Sequence, residues 1–152
     1  MERMVSMISA WGFPSPDSDL DLKCIHVAPT GALVGFAPPN PTFDRAEIIE
    51  EVEIDYTSNE LALALGGILG GNGNFLERVL GRTALETAPE LEALRPLVKA
   101  TLSRRFHRHY RGFAGSQQRA LEQTPTVKKL LYVFRTAVTG THLLLTGELE
   151  TD

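Results

Sequence analysis

The sequence predicts an α+β protein. Strand-like alternation is confined to the first sixty residues, helical periodicity fills most of the rest, and no internal repeat joins the two. Its 152 residues, 43% hydrophobic and 22% charged, are one domain's worth of chain. The thirteen glycines and nine prolines are dispersed, which excludes collagen-like and low-complexity architectures. One cysteine, Cys24, excludes an internal disulfide framework and a cysteine-based zinc cluster. The longest apolar run, residues 61–69, is about half a membrane helix and is broken by Gly66 and Gly67. The N-terminus carries an acid and lacks the apolar stretch of a signal peptide. A cytoplasmic protein with no membrane partner is expected.

Residues 1–11 show no period that assigns them. Gly12, Pro14, Pro16, Asp17 and Ser18 are turn chemistry. From Asp19 to Val27 acids and apolar residues alternate, so a strand is expected there. The Pro-rich run 37–41 reads as a loop. A second strand is expected over Ile48–Thr57, with Glu51, Glu53 and Asp55 on one face and Val52, Ile54 and Tyr56 on the other. Ser58 is a candidate N-cap for a helix through Leu69, and Asn74 for a short one over Phe75–Leu80 closed by Gly81. Helices are expected over 90–103, with Pro96 opening a fresh turn, and over 105–122. Thr124-Pro125-Thr126 starts the last helix, whose buried stripe is expected to be Val127, Leu130, Leu131, Phe134 and Val138.

Charge divides the chain. Residues 1–98 hold 15 acids against 6 Lys and Arg; residues 99–152 hold 9 Lys and Arg against 4 acids. Either the two halves form a cleft where cations and an anionic substrate meet, or the asymmetry is ordinary surface charge.

Asp19 and Asp21 are two apart on a strand and leave the same face. Two carboxylates side by side repel each other and resist burial, a conflict that a divalent cation resolves. Mg²⁺ suits a few carboxylates plus substrate phosphate oxygens. Asp55 supplies a third acid if the two strands are neighbours, although Glu53 shares its face and would serve as well. The competing reading is a solvated acidic edge that discourages strand pairing.

The run Ala10-Trp11-Gly12-Phe13-Pro14-Ser15-Pro16-Asp17-Ser18-Asp19-Leu20-Asp21-Leu22 resembles the active-site segment of the DNA polymerase β-type nucleotidyltransferase superfamily, and more narrowly its RNA-ligase-associated, RNA-repair members. Lys128-Lys129-Leu130-Leu131-Tyr132-Val133-Phe134-Arg135 resembles that family's K-x-x-x-Y-x-x-R helix. The resemblance implies a small mixed β-sheet with flanking helices over residues 1–95 and a helical lobe over 96–152. It also implies transfer of a nucleoside monophosphate from an NTP to an acceptor hydroxyl on RNA, protein or a small molecule. Asp19, Asp21 and Asp55 would bind catalytic Mg²⁺ or Mn²⁺, and Ser9, Lys128, Tyr132 and Arg135 the nucleotide. Family members carry Gly-Ser ahead of the aromatic loop, where this chain has Met7-Ile8-Ser9. The alternative is therefore a relative that binds nucleotide, RNA or a partner protein without turnover.

Residues 104–111 hold four arginines and two histidines. On a helix Arg104, Arg108 and Arg111 would form a ridge able to meet phosphates or a nucleic-acid backbone, or simply a solvated face. Phe106 reads as core, and Cys24 as buried packing on the face opposite the aspartates.

Overall fold

The computed structural model describes residues 3–9, 20–37, 39–81 and 84–151. Five strands, β1 (Arg3–Ser9), β2 (Leu20–Val27), β3 (Thr42–Ile49), β4 (Val52–Glu60) and β5 (Ala84–Thr87), form one mixed sheet in the order β3-β4-β2-β1-β5. β2 and β4 are parallel; the other pairs are antiparallel. The helices are α1 (Thr30–Leu33), α2 (Leu61–Leu69), α3 (Gly73–Leu80), α4 (Pro89–Ala100), α5 (Phe106–Gln123) and α6 (Val127–Thr146). The α+β class and the mixed sheet agree with expectation.

The alternating strand at 20–27 is β2, and its two faces have separate surroundings. Ile25 and Val27 join Ala64, Ile68, Leu76, Val79 and Leu91 in the core between sheet and helices. Cys24 and His26 alternate to the other face, where both are buried and His26 lies against the Phe43 ring. Burial of each large core side chain contributes about 1.5–3 kcal/mol. Phe106 sits in the same core, as its spacing indicated.

Several local expectations are corrected. The strand expected at 48–57 is β4 from Val52 onward, but its start is not strand-continuous: Ile48 and Ile49 end β3, and the two strands meet in a hairpin at Glu50-Glu51, whose φ values are 49° and 67°. Two successive positive φ angles are the signature of a type I′ turn, usually made by Asn-Gly. Ser58 is not a cap; it lies in β4, buried against His26, and the side chain of Glu60 accepts from the Ala62 N–H at 2.6 Å to cap α2. Asn72, rather than Asn74, caps α3. Pro96 is accommodated inside α4 and opens no new turn.

The largest correction concerns α6. Val127, Leu130, Leu131, Phe134 and Val138 are exposed, and the buried residues are Thr136, Thr139, Gly140 and Leu143. Small residues win the inner face because α5 approaches closely: a side-chain carbon at Gly140 would collide with Tyr110. Of the two glycines at 66–67, Gly67 permits close helix packing, since a Cβ there would enter the Phe75 ring, whereas one at Gly66 would meet open space. Among the described residues no helix is long and apolar enough to cross a membrane.

Candidate active site

β2 and β4 are neighbours, and their parallel register sets Asp21 directly opposite Asp55. Register partners in a parallel pair share a face and lie about 4.8 Å apart at the backbone. Asp21 and Asp55 are thus adjacent on the helix-side face, by the same alternation that sends Ile25 into the core. Along β2, burial rises from partial at Leu20–Lys23 to full at Cys24–His26, and along β4 from partial at Ile54–Thr57 to full at Ser58–Glu60, so both carboxylates lie on the partly buried stretches of their strands. Glu53, two residues earlier on β4, is exposed, whereas Asp55 is partly buried.

A third group belongs to this face. Lys23 follows Asp21 by two residues; its ammonium lies 3.4 Å from Asp21 Oδ1 and donates to Thr57 Oγ1 at 3.3 Å. Thr57 is the register partner of Lys23. The sequence reading missed Lys23 and Thr57, although the parity that groups Asp21 with Asp55 also selects them. The ammonium is a counter-cation to Asp21 and offsets one of the two carboxylate charges.

The donor set suits a hard divalent cation, which favours carboxylate oxygens and tolerates a hydroxyl. Among the described residues, Asp21 and Asp55 are the carboxylates placed where they could hold one. Asp19 lies outside the described residues, and among those described no three His, Cys, Asp or Glu side chains are grouped to hold a metal. Ser9 ends β1 opposite Leu22 of β2, one residue along from Asp21.

The other candidate residues have different surroundings. Arg135 donates through Nε to the Thr151 carbonyl at 3.2 Å, and its Nη2 lies 4.0 Å from Glu77 Oε2. Glu77 on α3 accepts from the Tyr110 hydroxyl of α5 at 3.0 Å. Burial raises the Glu77 pKa above its ordinary value, against the opposing pull of Arg135 and the Tyr110 hydrogen bond. The same desolvation, with the Glu77 charge and its hydrogen bond, raises that of Tyr110. Arg135 therefore helps to join three helices. Tyr132 is partly buried, and Lys128 is exposed on the first turn of α6.

Arg108 and Arg111 are exposed on α5, while Arg104 lies in the turn before it and so falls off the expected helical ridge. Arg105, not singled out from the sequence, donates to the Leu69 carbonyl and fastens the start of α5 to the end of α2. Arg111, His107 and Gln118 border a groove of about 450 Å³ between α5 and α6. Among the described lining residues Arg111 is the one cation.

Residues 4–150 match the family model described as RlaP, the RNA repair pathway DNA polymerase beta family. No curated protein and no solved structure gives a significant match.

Proposed function

The chain belongs to the RNA repair pathway DNA polymerase beta family, and from that membership we propose that it is a metal-dependent nucleotidyltransferase acting on an NTP. The acceptor hydroxyl belongs to an RNA end, a protein or a small molecule. The observation that carries this reading is the pairing of Asp21 with Asp55 across the β2–β4 ladder, with Lys23 and Thr57 beside them.

In this reading Asp21 and Asp55, with Asp19, would hold Mg²⁺ or Mn²⁺ at the starts of β2 and β4. The bound cation supplies charge neutralisation at the triphosphate. The acceptor oxygen attacks the α-phosphorus, the bond to the bridging oxygen of the β-phosphate breaks, and pyrophosphate leaves. Asp55 takes the acceptor's proton. Lys23 exchanges Asp21 for phosphate oxygens when substrate enters. Lys128, Tyr132 and Arg135 contact the nucleotide from the helical lobe proposed for residues 96–152, and Arg108 and Arg111 meet the phosphates of an RNA acceptor. Residues 1–95 form the transferase core.

A second reading is binding without turnover. It is favoured by Met7 and Ile8, which pair with β2 on one side and β5 on the other. In that position their amides belong to the sheet ladder instead of a phosphate-gripping loop.

The deciding experiment is incorporation of label from each α-labelled NTP, with Mg²⁺ or Mn²⁺, into pooled RNA and protein acceptors. Transfer that Asp21→Asn and Asp55→Asn each abolish is the expected result. NTP binding without transfer selects the second reading, and neither binding nor transfer overturns both.

A further inference from the structure

β3 is an edge of the sheet, and among the described residues nothing pairs with its outer side. The hairpin geometry fixes which backbone groups are left there. The two-residue turn at Glu50-Glu51 makes Ile49 and Val52 a hydrogen-bonded pair, and in an antiparallel ladder such pairs recur at every second residue. Phe43, Arg45, Glu47 and Ile49 therefore direct their backbone groups to β4. The Glu60 N–H, donating to the Pro41 carbonyl at 2.8 Å, continues the same series. Thr42, Asp44, Ala46 and Ile48 turn theirs outward. The Asn40 side chain takes the Thr42 N–H at 3.1 Å, which leaves outward donors at Asp44, Ala46 and Ile48.

This edge lacks two common guards against strand addition: β3 holds no proline, and its register with β4 runs without a bulge. The opposite edge, β5, is four residues long and joins β1 through an irregular register. Charges do stand on β3, but they are of both signs, and their order selects a partner. Two copies of β3 laid antiparallel about a two-fold axis pair outward residue with outward residue. An axis at Asp44, Arg45 or Glu47 sets that residue's charge against its own copy, and an axis nearer either end runs off the strand. An axis at Ala46 sets Arg45 opposite Glu47 and Phe43 opposite Ile49, each twice, with the smallest side chain of the strand at the centre. Asp44 and Ile48 then exchange backbone bonds across the axis, as do the two Ala46 residues, so every free outward donor is used. Within one chain Arg45 Nη2 already lies 2.5 Å from Glu47 Oε2, on side chains 70% and 36% exposed. Pairing keeps that contact and extends it to a ring of four alternating charges, which sets register more than affinity.

We propose that β3 is the interface through which two copies of this chain pair, antiparallel about a two-fold axis at Ala46, so that their sheets become one. The main-chain bonds supply the affinity, and the Phe43–Ile49 pairs cover apolar side chains that the single chain leaves exposed. On the other face Ile48 lies opposite Asp44, and that face adds little. A contact confined to one strand is smaller than a standard interface, so the dimer is weak and concentration-dependent.

Sedimentation from the micromolar to the submillimolar range tests this. The expected result is a dimer whose share grows with concentration. Ala46→Pro removes the donor at the axis, and because that N–H faces outward no bond to β4 is lost; the variant should stay monomeric with its circular dichroism unchanged. The charges give a second test that does not depend on proline being accommodated. Arg45→Glu and Glu47→Arg each set like charges opposite one another and should weaken self-association about tenfold or more. Mixing these two variants should give a mixed dimer, and the double exchange Arg45→Glu/Glu47→Arg should restore the parent's association. A monomer throughout the range overturns the proposal. So does a dimer that Ala46→Pro leaves intact, or one that both single charge variants form as well as the parent.

Discussion

Tyr110 donates its hydroxyl to Glu77 across 3.0 Å, tying α5 to α3 through a buried phenol and a largely buried carboxyl group. The bond crosses 33 residues of sequence and makes the helical lobe continuous with the helices on the sheet. Tyr110→Phe keeps the ring in the core and removes one hydrogen bond to a desolvated acid. The expected cost is about 1–3 kcal/mol, read as a lower urea midpoint with an unchanged slope. A midpoint within experimental error of the parent would show that the bond contributes nothing.

Two groups in this region give stability opposite pH dependences. Burial raises the Glu77 pKa above 4.5, so the folded chain retains a proton that the unfolded chain releases. Its contribution is greatest at low pH and is lost as pH rises from 4.5 through the folded value. Burial lowers the His109 pKa below 6.5. There the unfolded chain binds the proton first, and stability is lost as pH falls below 6.5 towards the folded value. Glu77→Gln, which retains an acceptor for Tyr110, should flatten the first window. His109→Phe, which preserves stacking on Phe113, should flatten the second. Urea unfolding at a series of pH values measures both, and an unchanged profile in either variant disproves its assignment.

The hairpin at Glu50-Glu51 has the backbone of a type I′ turn without its preferred residues. Replacing the pair by Asn-Gly fits side chains to the positive φ angles and removes two acids from a stretch that already holds Glu47 and Glu53. The double variant should gain about 1 kcal/mol, seen as a higher Tm. A lower Tm would mean that the glutamates make contacts worth more than the strain they carry.

Asp55 and Glu53 can be separated as metal ligands. Asp55 is the register partner of Asp21 and Glu53 is exposed. Mn²⁺ binding followed by electron paramagnetic resonance should weaken about tenfold or more in Asp55→Asn and stay near the parent level in Glu53→Gln. The reverse order would move the third acid to Glu53. Lys23→Gln should tighten Mn²⁺ by removing the ammonium that competes for Asp21.

The site was legible where chemistry and period coincide. Period-two alternation placed Asp21 and Asp55 on their strands, and a parallel register, which no local signal encodes, brought them together. β1 escaped notice because it has no alternation of its own, and β5 because it has only four residues; pairing across the sheet defines them. The turn at Glu50-Glu51 was hidden because its residues contradict its conformation. The reversed faces of α6 have another cause. Periodicity identifies an apolar stripe but not what covers it, and α5 selected the face whose small residues admit Tyr110. Arg135 was singled out on a motif and found in the packing of Glu77, a partner 58 residues away in sequence.

β1, the first strand of the chain, occupies an interior position, bordered by β2 and by β5. Its second neighbour lies about eighty residues further on, where Ser6 pairs with Thr87. Closing so long a loop is entropically slow, and it must precede the reward of that pairing. During synthesis the hairpins and early helices therefore form first, while one edge of β1 stays bare until β5 emerges. Deleting β5 would leave that edge as a template for pairing with other chains, and its loss should be seen first as aggregation in the cell.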